Sequence, residues 1–559
     1  MTGLIVVVLG IALLLLPRLI ARTRGNVDIA RSLRADRRER HTDMRLISAV
    51  HRRLVDAGAS ESLDERTWAD LDLDDVFHAV DHAASEPGRQ LLYHHLRTPH
   101  VDLSALDRRE AAANRFASDE ALTNHVRRTL AQLGDPRAAH LDELFFGDLP
   151  NRPALWWTFP LLTVSAVSCL ALISIWPRAA VVWLAICVVN VGVQLFYKPR
   201  VQRFVPALHE LPALLRVVGT LGDVQAEELQ SEAASLRAAS GELGALRIAT
   251  GWLMFEPSQS SDIQAGIYEY INLLFLLDVN AFVFATNRLR QSRRVAQAAL
   301  LALARIDVAQ SIASWRKSQP YWATPTFLSA QKALSVDGLY HPLLGEPIAN
   351  DLVVDGHSVL ITGSNMSGKT TFIRTLGVNA VLAQTLHTVC ARSWRAPMLL
   401  VRTSIGREDS LQDGKSYYLA EVETVLELVR ASESGRQHLF LLDELFRGTN
   451  TVERVAGAYA VLSYLNRGAD LVVAATHDVE LLEMLRGDYE MHHFREEVVD
   501  EGLTFDYRIR PGPSSTRNAI ALLRVLKYPA SLVDSALAVV EQGGRTRAVL
   551  IEDRPVEMS

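Results

Sequence analysis

The sequence contains little cysteine and carries no excess of positive charge. Its 559 residues include only three cysteines, Cys169, Cys187 and Cys390, which excludes a disulfide framework and any Cys-x-x-Cys metal site. The net charge of −6 gives no global positive field of the kind that drives binding to nucleic acids. Internal repeats and low-complexity tracts are also absent from the sequence. The length allows two to three domains, and three long apolar runs account for a hydrophobic content of 49%.

Two of these apolar runs lie side by side in the chain. Ala154 to Trp176 is uncharged for 23 residues and Ala179 to Tyr197 for another 19, with Pro177-Arg178 between them. Each run is long enough to cross about 30 Å of hydrocarbon as a helix, so the pair predicts a transmembrane helical hairpin. Aromatic residues, which favour the membrane interface, lie at the segment ends: Trp156, Trp157, Trp176 and Tyr197. The alternative is a pair of buried core helices.

The third apolar run, Leu4 to Leu16, predicts a further transmembrane helix near the N-terminus. A cleaved signal peptide is the competing interpretation, but no positive charge precedes the run and no small-x-small site clearly ends it. Eight arginines follow it: Arg18, Arg22, Arg24, Arg31, Arg34, Arg37, Arg38 and Arg40. They place the C-terminal side of the run in the cytoplasm, and they could also form a solvated arm or contact anionic lipid.

Basic residues also flank the predicted hairpin. Arg152 precedes it, and Lys198, Arg200 and Arg203 follow it, which places both ends of the hairpin in the cytoplasm. The expected location is therefore the inner or plasma membrane of the cell, crossed several times, with the rest of the chain cytoplasmic.

The run Gly363–Thr370 fits the P-loop pattern G-x-x-x-x-G-K-[ST]. A predicted buried strand, Ser358–Thr362, leads into it, and a predicted helix begins directly after it. Backbone N–H groups of such a loop point at phosphate oxygens, while the lysine reaches the terminal phosphates and the hydroxyl residue holds Mg²⁺. The predicted nucleotide-binding residues are Gly363, Ser364, Asn365, Met366, Ser367, Gly368, Lys369, Thr370 and Thr371.

Acidic residues follow a second predicted buried strand, Leu439–Leu442. Asp443 is expected to hold Mg²⁺ together with Thr370, and Glu444 is placed to orient or deprotonate the attacking water. A third strand over 471–476 ends at His477, which is expected to contact the γ-phosphate. We therefore predict an ATP hydrolase with ATP and Mg²⁺ as cofactors and with Lys369, Glu444 and His477 in catalysis.

These segments resemble the ATPase domain of the MutS mismatch-repair proteins, which belong to the ABC-type class of ATPases. The resemblance covers roughly residues 335–545. It is carried in order by Asn365-Met366 in the P-loop, by the signature-like residues 405–421, by 443–451, by 475–477 and by 511–520. The family usually has Gly where this chain has Phe446. The resemblance implies a homodimer in which Ser416 donates to the γ-phosphate bound by the other subunit, with Thr449-Asn450 reporting between the two sites.

The resemblance also extends upstream. Residues 86–109 resemble the start of the MutS core helical domain, residues 302–308 its returning helix, and residues 340–344 the entry strand of the nucleotide domain. The chain is expected to have no room for an N-terminal mismatch-reading domain, and the stretch 240–295 is too short for a DNA-gripping clamp. These differences argue against mismatch-specific binding.

The family tends to place an aromatic residue against adenine in the segment before the P-loop. Here that segment contains Ile348, which is the predicted base contact, and Tyr340 or His341 are the alternatives.

The fold prediction is an α/β P-loop ATPase domain of ABC type with an all-α core domain and transmembrane helices. Residues 205–245 predict stacked core helices, and 267–284 predicts a buried core helix, with a re-entrant or fourth span as the alternative. The predicted segments are a transmembrane helix 1–22, a cytoplasmic helical region 23–150, the hairpin 151–200, the second part of the core domain 201–333, the ATPase domain 334–545 and a mobile tail 546–559.

The predicted function is that of a membrane-anchored ATPase whose dimer closure moves the helical core and the hairpin. Its expected partners are a second copy of the chain, membrane lipid and an unidentified protein. The alternative is a membrane-tethered DNA-binding ATPase related to mismatch repair. An ABC-type transporter is a third hypothesis, but three spans almost without polar residues make a poor path for a solute.

Overall fold

The computed structural model describes most of the chain in two compact units. The described residues are 43–56, 58, 62–99, 102–149, 153, 155–244, 262–329, 332–364, 366–406, 417–499, 502–513, 523 and 528–539. Unit one comes from the chain up to Ser62 and from Phe77–Ser318, and unit two from Leu63–Val76 and from Gln319 onward. The predicted helix 1–22, the arginines after it and the predicted tail 546–559 lie outside the described residues.

The N-terminal half of the described chain is helical. Its helices are α1 (Met44–Ile47), α2 (Ala49–Asp56), α3 (Glu65–Asp70), α4 (Leu73–Val80), α5 (Glu86–Arg97), α6 (Leu103–Ser118), α7 (Glu120–Leu130), α8 (Leu141–Phe146), α9 (Thr158–Leu172), α10 (Ala179–Gln202), α11 (Val205–Gly222), α12 (Gln230–Glu242), α13 (Asp262–Phe275) and α14 (Leu277–Ser318). Short 3₁₀ turns lie at Ala131–Leu133, Pro136–His140 and Glu227–Leu229. The expected helices over 205–245 are present as α11 and α12.

The core of unit one lies around α11, α12 and α14, where leucine, alanine and phenylalanine side chains are buried together. Asp307 on α14 is fully buried and accepts hydrogen bonds from the backbone N–H groups of Ala84 (2.9 Å) and Ser85 (2.7 Å), from Ser85 Oγ (2.5 Å) and from Gln310 Nε2 (2.7 Å). A Cβ on Gly88 would lie 2.2 Å from Asp307 Oδ2, so only glycine fits there. The two upstream segments that carry the family resemblance therefore meet at this carboxylate.

Helices α9 and α10 form an antiparallel pair that we call the apolar hairpin. Its tip is the turn at 173–178, and its base lies near Trp157 and Tyr197. Ala166, Ala179 and Cys187 are buried, whereas large apolar side chains are exposed on the outer faces of both helices: Leu161, Val164, Val167, Leu170, Leu172, Val181, Val182, Leu184, Val188, Val189, Leu195 and Phe196.

Among the described residues, two helices are long and apolar enough to cross a membrane, α10 and α14. They differ in burial, because 72% of the apolar window of α14 is buried against 22% of that of α10. Helix α9 is also apolar but has only 15 residues. The lower burial of α10 thus favours a membrane role for the hairpin over one for α14, and the transmembrane assignment stays a prediction.

The expected single buried helix over 267–284 was wrong. Leu276 has a φ of +53° and separates α13 from α14, so the helix is interrupted in the middle of this apolar stretch. Helix α14 then continues for 42 residues to Ser318 and has a non-helical residue at Ser292.

Unit two contains two sheets. Its elements are β1 (Thr326–Phe327), β2 (Ala333–Leu339), β3 (Asn350–Asp355), β4 (Ser358–Thr362), α15 (Lys369–Leu386), β5 (Ser393–Ala396), β6 (Leu400–Ile405), α16 (Tyr417–Ser432), β7 (His438–Asp443), α17 (Thr451–Leu465), β8 (Leu471–Ala475), α18 (Val479–Met484), β9 (Tyr489–Val499) and β10 (Gly502–Pro511). The smaller sheet has the order β1-β5-β2-β3.

The larger sheet has the order β10-β9-β4-β8-β7-β6, parallel except for the antiparallel β9–β10 hairpin. Strands β4, β7 and β8 are buried at every residue, which is typical of a sheet covered on both faces. Their carboxyl ends therefore meet at one edge, where ligands bind in open α/β sheets. The sequence prediction of an α/β domain beside a helical region is confirmed at this level.

A short early segment, Leu63–Val76, belongs to unit two. Asp70 Oδ2 accepts hydrogen bonds from Thr403 Oγ1 at 2.8 Å and from the backbone N–H of Ile405 at 3.0 Å, both on β6, and Asp64 pairs with Arg402. The predicted ATPase domain starts at 334, whereas unit two resumes at Gln319 and also includes this segment. The predicted domain bounds stay a prediction.

Candidate active site

The loop after β4 has the conformation that its glycines permit. Gly363 has a φ of +146°, and a Cβ there would lie 2.9 Å from Ser367 Oγ and 3.0 Å from the Phe494 carbonyl oxygen. Gly368 has a φ of +107°, and its Cβ would lie 3.2 Å from the Tyr507 ring. Both positions combine a left-handed backbone with close neighbours, so a side chain at either would be strained. The loop therefore passes directly into α15 at Lys369.

Lys369 lies inside the loop. It is 4% exposed, and its Nζ donates to the carbonyl oxygens of Gly363 at 2.6 Å and Ser364 at 2.8 Å. Burial lowers the pKa of Lys369, and the nearby Glu444 and Asp443 carboxylates oppose that shift. The buried ammonium thus lies where a polyanion would be held, next to the N-terminus of α15.

The structure brings Thr370 and Asp443 together from two elements 73 residues apart in sequence. Thr370 Oγ1 donates to Asp443 Oδ2 at 2.5 Å. Asp443 is 5% exposed, and burial raises its pKa. Its second oxygen, Oδ1, is buried and has no hydrogen-bond partner within the described part of the chain. A hydroxyl and a carboxylate oxygen are ligands that Mg²⁺ prefers, so these two side chains fit a magnesium ion.

Glu444 is held at the end of β7 by several contacts. Its backbone N–H donates to the Ala475 carbonyl at 3.0 Å, which ties the ends of β7 and β8 together. Its Oε2 lies 2.8 Å from Arg447 Nε and 3.3 Å from His477 Nδ1. The side chain of Glu444 is 8% exposed and that of His477 is 46% exposed. A buried carboxylate beside an accessible histidine is an arrangement that can accept a proton from water.

Two further side chains fix this region, and neither was among the predicted site residues. Arg454 on α17 makes a bidentate ion pair with Asp478, with N–O distances of 2.6 and 3.0 Å, directly after His477. Glu421 on α16 accepts a hydrogen bond from the backbone N–H of Phe446, and burial raises the pKa of Glu421. Phe446, where the family usually has glycine, has a φ of +62°, so the left-handed turn is kept without the glycine.

The remaining loop residues differ in their surroundings. Ser364 Oγ donates to Glu496 on β9. Met366 is 82% exposed with a φ of +74°, and Ser367 is 1% exposed with an Oγ that has no hydrogen-bond partner among the described residues. Thr371 lies in the first turn of α15. Asn365 and Ser416, both predicted site residues, lie outside the described residues.

The two residues predicted as alternative contacts for adenine, Tyr340 and His341, are buried. Tyr340 is 2% exposed and its hydroxyl donates to the Tyr321 carbonyl at 2.6 Å, while His341 is 9% exposed. Burial lowers the pKa of His341 to about 4. Neither ring is accessible to stack on a base, so these two alternatives were wrong.

Ile348 is 40% exposed, and an unexpected neighbour lies beside it. Asn350 Nδ2 donates to the carbonyl of Tyr507 at 3.0 Å and lies 3.3 Å from that of Ile348. The Tyr507 ring is 44% exposed, with a φ of +52° at the irregular register of the β9–β10 pair. An exposed aromatic ring thus lies next to Gly368, and the Asn350 amide links its backbone to that of Ile348.

Comparison with known proteins connects this geometry to one family. Residues 359–542 match the family model described as MutS domain V. The chain is 28% identical over 291 residues to the DNA mismatch repair protein MutS of Thermus thermophilus. The aligned segment covers 51% of this chain and 35% of that protein. It is 30% identical over 250 residues to MutS of Petrotoga mobilis (43% and 30% covered) and to the DNA mismatch repair protein MSH3 of Phaeosphaeria nodorum (42% and 22% covered). The chain spans about a third or less of the length of these curated relatives, and the resemblance expected from the motifs is confirmed.

Proposed function

Because the chain belongs to the MutS-like family through its domain V, we propose that it binds ATP with Mg²⁺ at the loop 363–370 and hydrolyses it. The observation that carries this proposal is the convergence of Lys369, Thr370 and Asp443, with Glu444 and His477 beside them. Two buried oxygens without a partner among the described residues, Asp443 Oδ1 and Ser367 Oγ, support the fit of a polar ligand.

Each side chain has a distinct role in the proposal. Lys369 neutralises phosphate oxygens, and Thr370 and Asp443 hold the metal, which supplies charge stabilisation when bound. Glu444 orients a water molecule and accepts its proton, while Arg447 and His477 keep the carboxylate in place. His477 is also exposed enough to contact the terminal phosphate. Catalysis would thus depend on positioning and electrostatics.

Nucleotide retention tests this proposal directly. We expect the purified protein in detergent or nanodiscs to bind a fluorescent ATP analogue only with Mg²⁺ present. Lys369→Ala should weaken that binding by at least tenfold, because the variant leaves the loop without its buried cation. A control, Lys317→Ala at the end of α14, should bind as the unchanged protein does. Equal binding by the two variants would refute the proposed site.

Tyr507 and Ile348 are proposed to hold the base. Aromatic stacking on a base contributes about 1–3 kcal/mol, so Tyr507→Ala should raise the Kd for ATP by roughly 5- to 160-fold. Tyr507→Phe keeps the ring and should change the Kd by less than threefold. Because the phosphate contacts are unaffected, affinity for inorganic triphosphate should stay the same in both variants. Isothermal titration calorimetry with both ligands measures these effects, and an equal loss of triphosphate affinity in Tyr507→Ala would contradict the assignment.

The active form is proposed to be a homodimer. Family resemblance supports a composite site in which Ser416 of one subunit covers the nucleotide of the other, with Thr449-Asn450 between the two sites. In unit two, Asn450 caps α17 by accepting from the Glu453 N–H at 3.1 Å, so this reporting segment is attached to the start of a helix.

The apolar hairpin is proposed to anchor the protein in the inner or plasma membrane with the ATPase domain in the cytoplasm. What supports this is exposure on the outer faces of both hairpin helices: Leu161 (56%) and Val164 (61%) on α9, and Leu184 (61%) and Val188 (66%) on α10. A groove on a protein partner would cover only one outer face of the helix pair, whereas lipid acyl chains would cover every outer face. Lys198, Arg200 and Arg203 at the base match the cytoplasmic headgroup region.

DNA is the second candidate ligand, since the relatives are mismatch repair proteins by name. If duplex DNA is bound, its affinity should fall steeply between 50 and 200 mM salt, because phosphate contacts release counterions. Equal affinity for matched and mismatched duplexes is expected, since the stretch 240–295 is too short for a DNA-gripping clamp.

A further inference from the structure

The break at Leu276 turns α13 and the first part of α14 into a structure that we call the helical V. Its apex is Phe275–Leu277. Both limbs run down to the base of the apolar hairpin. On one limb Glu269 Oε2 lies 3.7 Å from Lys198 Nζ, and on the other the Phe282 ring centroid lies 5.3 Å from that of Phe204.

Side chains of the hairpin satisfy the backbone at the apex. Asn190 Nδ2 donates to the Leu274 carbonyl at 2.6 Å, and Thr163 Oγ1 donates to the Phe275 carbonyl at 2.7 Å. Asn280 Nδ2 donates to Thr163 Oγ1 at 2.8 Å and to the Leu276 carbonyl at 2.9 Å. The Leu274 and Phe275 carbonyls lose helical partners because α13 ends there, whereas the Leu276 carbonyl also accepts from the Asn280 backbone N–H at 3.0 Å. Three consecutive carbonyls therefore receive side-chain donors.

A second pair of polar side chains, Asn272 on α13 and Asp278 on α14, makes hydrogen bonds across the apex. Asn272 Nδ2 donates to Asp278 Oδ2 at 2.5 Å, and the Asp278 backbone N–H donates to Asn272 Oδ1 at 2.9 Å. Water at an exposed break would satisfy the same groups without dedicated donors. In hydrocarbon each group left unpaired costs several kcal/mol, and broken helices persist there only where protein satisfies them.

The position of the apex along the hairpin gives its depth. Asn190 lies seven residues from Tyr197 on α10, which is about 10 Å along a helix axis. From Asn190 to the tip at Arg178 is a further ~18 Å. If the Tyr197 ring marks the interface, the apex lies within the first third of a hydrocarbon layer of about 30 Å.

We propose that the helical V is a re-entrant element that enters the cytoplasmic leaflet beside the apolar hairpin, with lipid acyl chains against its outer faces. The polar contacts at its apex close the backbone where no water is present to do so. Tyr270 (70% exposed) and Phe284 (41% exposed) lie lower on the two limbs, at the level where aromatic rings favour the interface. This inference rests on the membrane anchor proposed for the hairpin.

Fluorescence quenching in nanodiscs can measure the depth of the apex and the depth of the hairpin tip independently. Cys169→Ala and Cys187→Ala remove the two hairpin thiols. Cys390 can stay, because it is buried and its pKa is raised to about 12 by that burial, so it remains an unreactive thiol near pH 7. Single cysteines are then labelled with an environment-sensitive dye at the apex (Leu277→Cys), at the tip (Ser174→Cys) and on the exposed face of α12 (Ala238→Cys).

The expected result separates the apex from the water-facing control. A nitroxide at a shallow acyl position should quench the Leu277→Cys label at least threefold more than the Ala238→Cys label, while aqueous iodide should show the opposite order. Leu273→Cys, on the other side of the apex, provides a second position if the first variant folds poorly. If the apex labels respond like Ala238→Cys while a deep nitroxide quenches the tip, the V lies outside the bilayer and the anchor stands. If the tip label also responds like Ala238→Cys, both the inference and the proposed anchor fail.

Discussion

Glu444→Gln is expected to lower the rate of ATP hydrolysis by about 100- to 10,000-fold, the range that a general base contributes, while ATP binding is retained. The glutamine amide is nearly isosteric with the carboxylate that it replaces. It keeps an oxygen for Arg447 and His477, which lie 2.8 and 3.3 Å from the Glu444 carboxylate. It cannot accept a proton from water. Single-turnover hydrolysis and equilibrium ATP binding, measured on the same preparation, separate the two effects.

A matched control for this variant is Glu427→Gln, an exposed glutamate on α16. It should hydrolyse ATP at the rate of the unchanged protein. Turnover within tenfold of the unchanged protein for Glu444→Gln would remove this residue from the chemistry. The same variant, incubated with ATP, is expected to accumulate as a closed dimer, and capture of what co-purifies with it would distinguish a membrane protein partner from nucleic acid.

The second large effect concerns the apolar hairpin. Leu184 and Val188 on α10 are 61% and 66% exposed, so changing both to arginine removes little protein packing and would alter the stability of a water-exposed helix by about 0.5 kcal/mol or less per site. In the centre of a bilayer each arginine costs about 2.5–3.5 kcal/mol. The double variant should therefore be lost from carbonate-washed membranes.

Val353→Arg on β3 is the control, because Val353 is also 66% exposed but lies in unit two. It should remain in the membrane fraction like the unchanged protein. Two results would argue against the anchor: retention of the double arginine variant in the membrane, or recovery of the unchanged protein in the soluble fraction.

The sequence was sufficient for the parts of the site that are contiguous in the chain. The P-loop needs glycines, a lysine and a hydroxyl residue within eight positions, because the loop wraps its own backbone around the phosphates. Strands β4, β7 and β8 are buried on both faces, so they appear as uninterrupted apolar runs. Because their acidic and histidine residues follow directly, the order of residues alone placed them at the same sheet edge.

The parts that the sequence did not predict depend on contacts between distant segments. Tyr507 reaches the loop because the β9–β10 pair is irregular there and Asn350, from another sheet, holds its backbone. Arg454 acts on Asp478, 24 residues away, and Asp70 reaches β6 across more than 300 residues. Charge and periodicity within a short window carry no information about such pairings.

The helical V shows a different reason for failure. Hydropathy over 267–284 indicates burial, but it does not distinguish one long helix from two that meet at an angle. Leu276 adopts a positive φ although it is not glycine, and nothing in its type predicts that. A signal was present in Asn272, Asp278 and Asn280, which supply side-chain contacts around the break.

The close packing of α9 on α10 has a consequence for what ATP turnover can achieve. The two helices contact each other directly, and Ala166, Ala179 and Cys187 are buried, so a single pair of packed helices encloses no lumen along its described length. A passage for ions or metabolites would need several hairpins arranged in a ring with polar groups turned inward, yet the outward faces here are leucine, valine and phenylalanine. If the proposed site hydrolyses ATP and the hairpin is anchored as proposed, the work would therefore be mechanical: a change in conformation, or in the neighbours that the hairpin contacts.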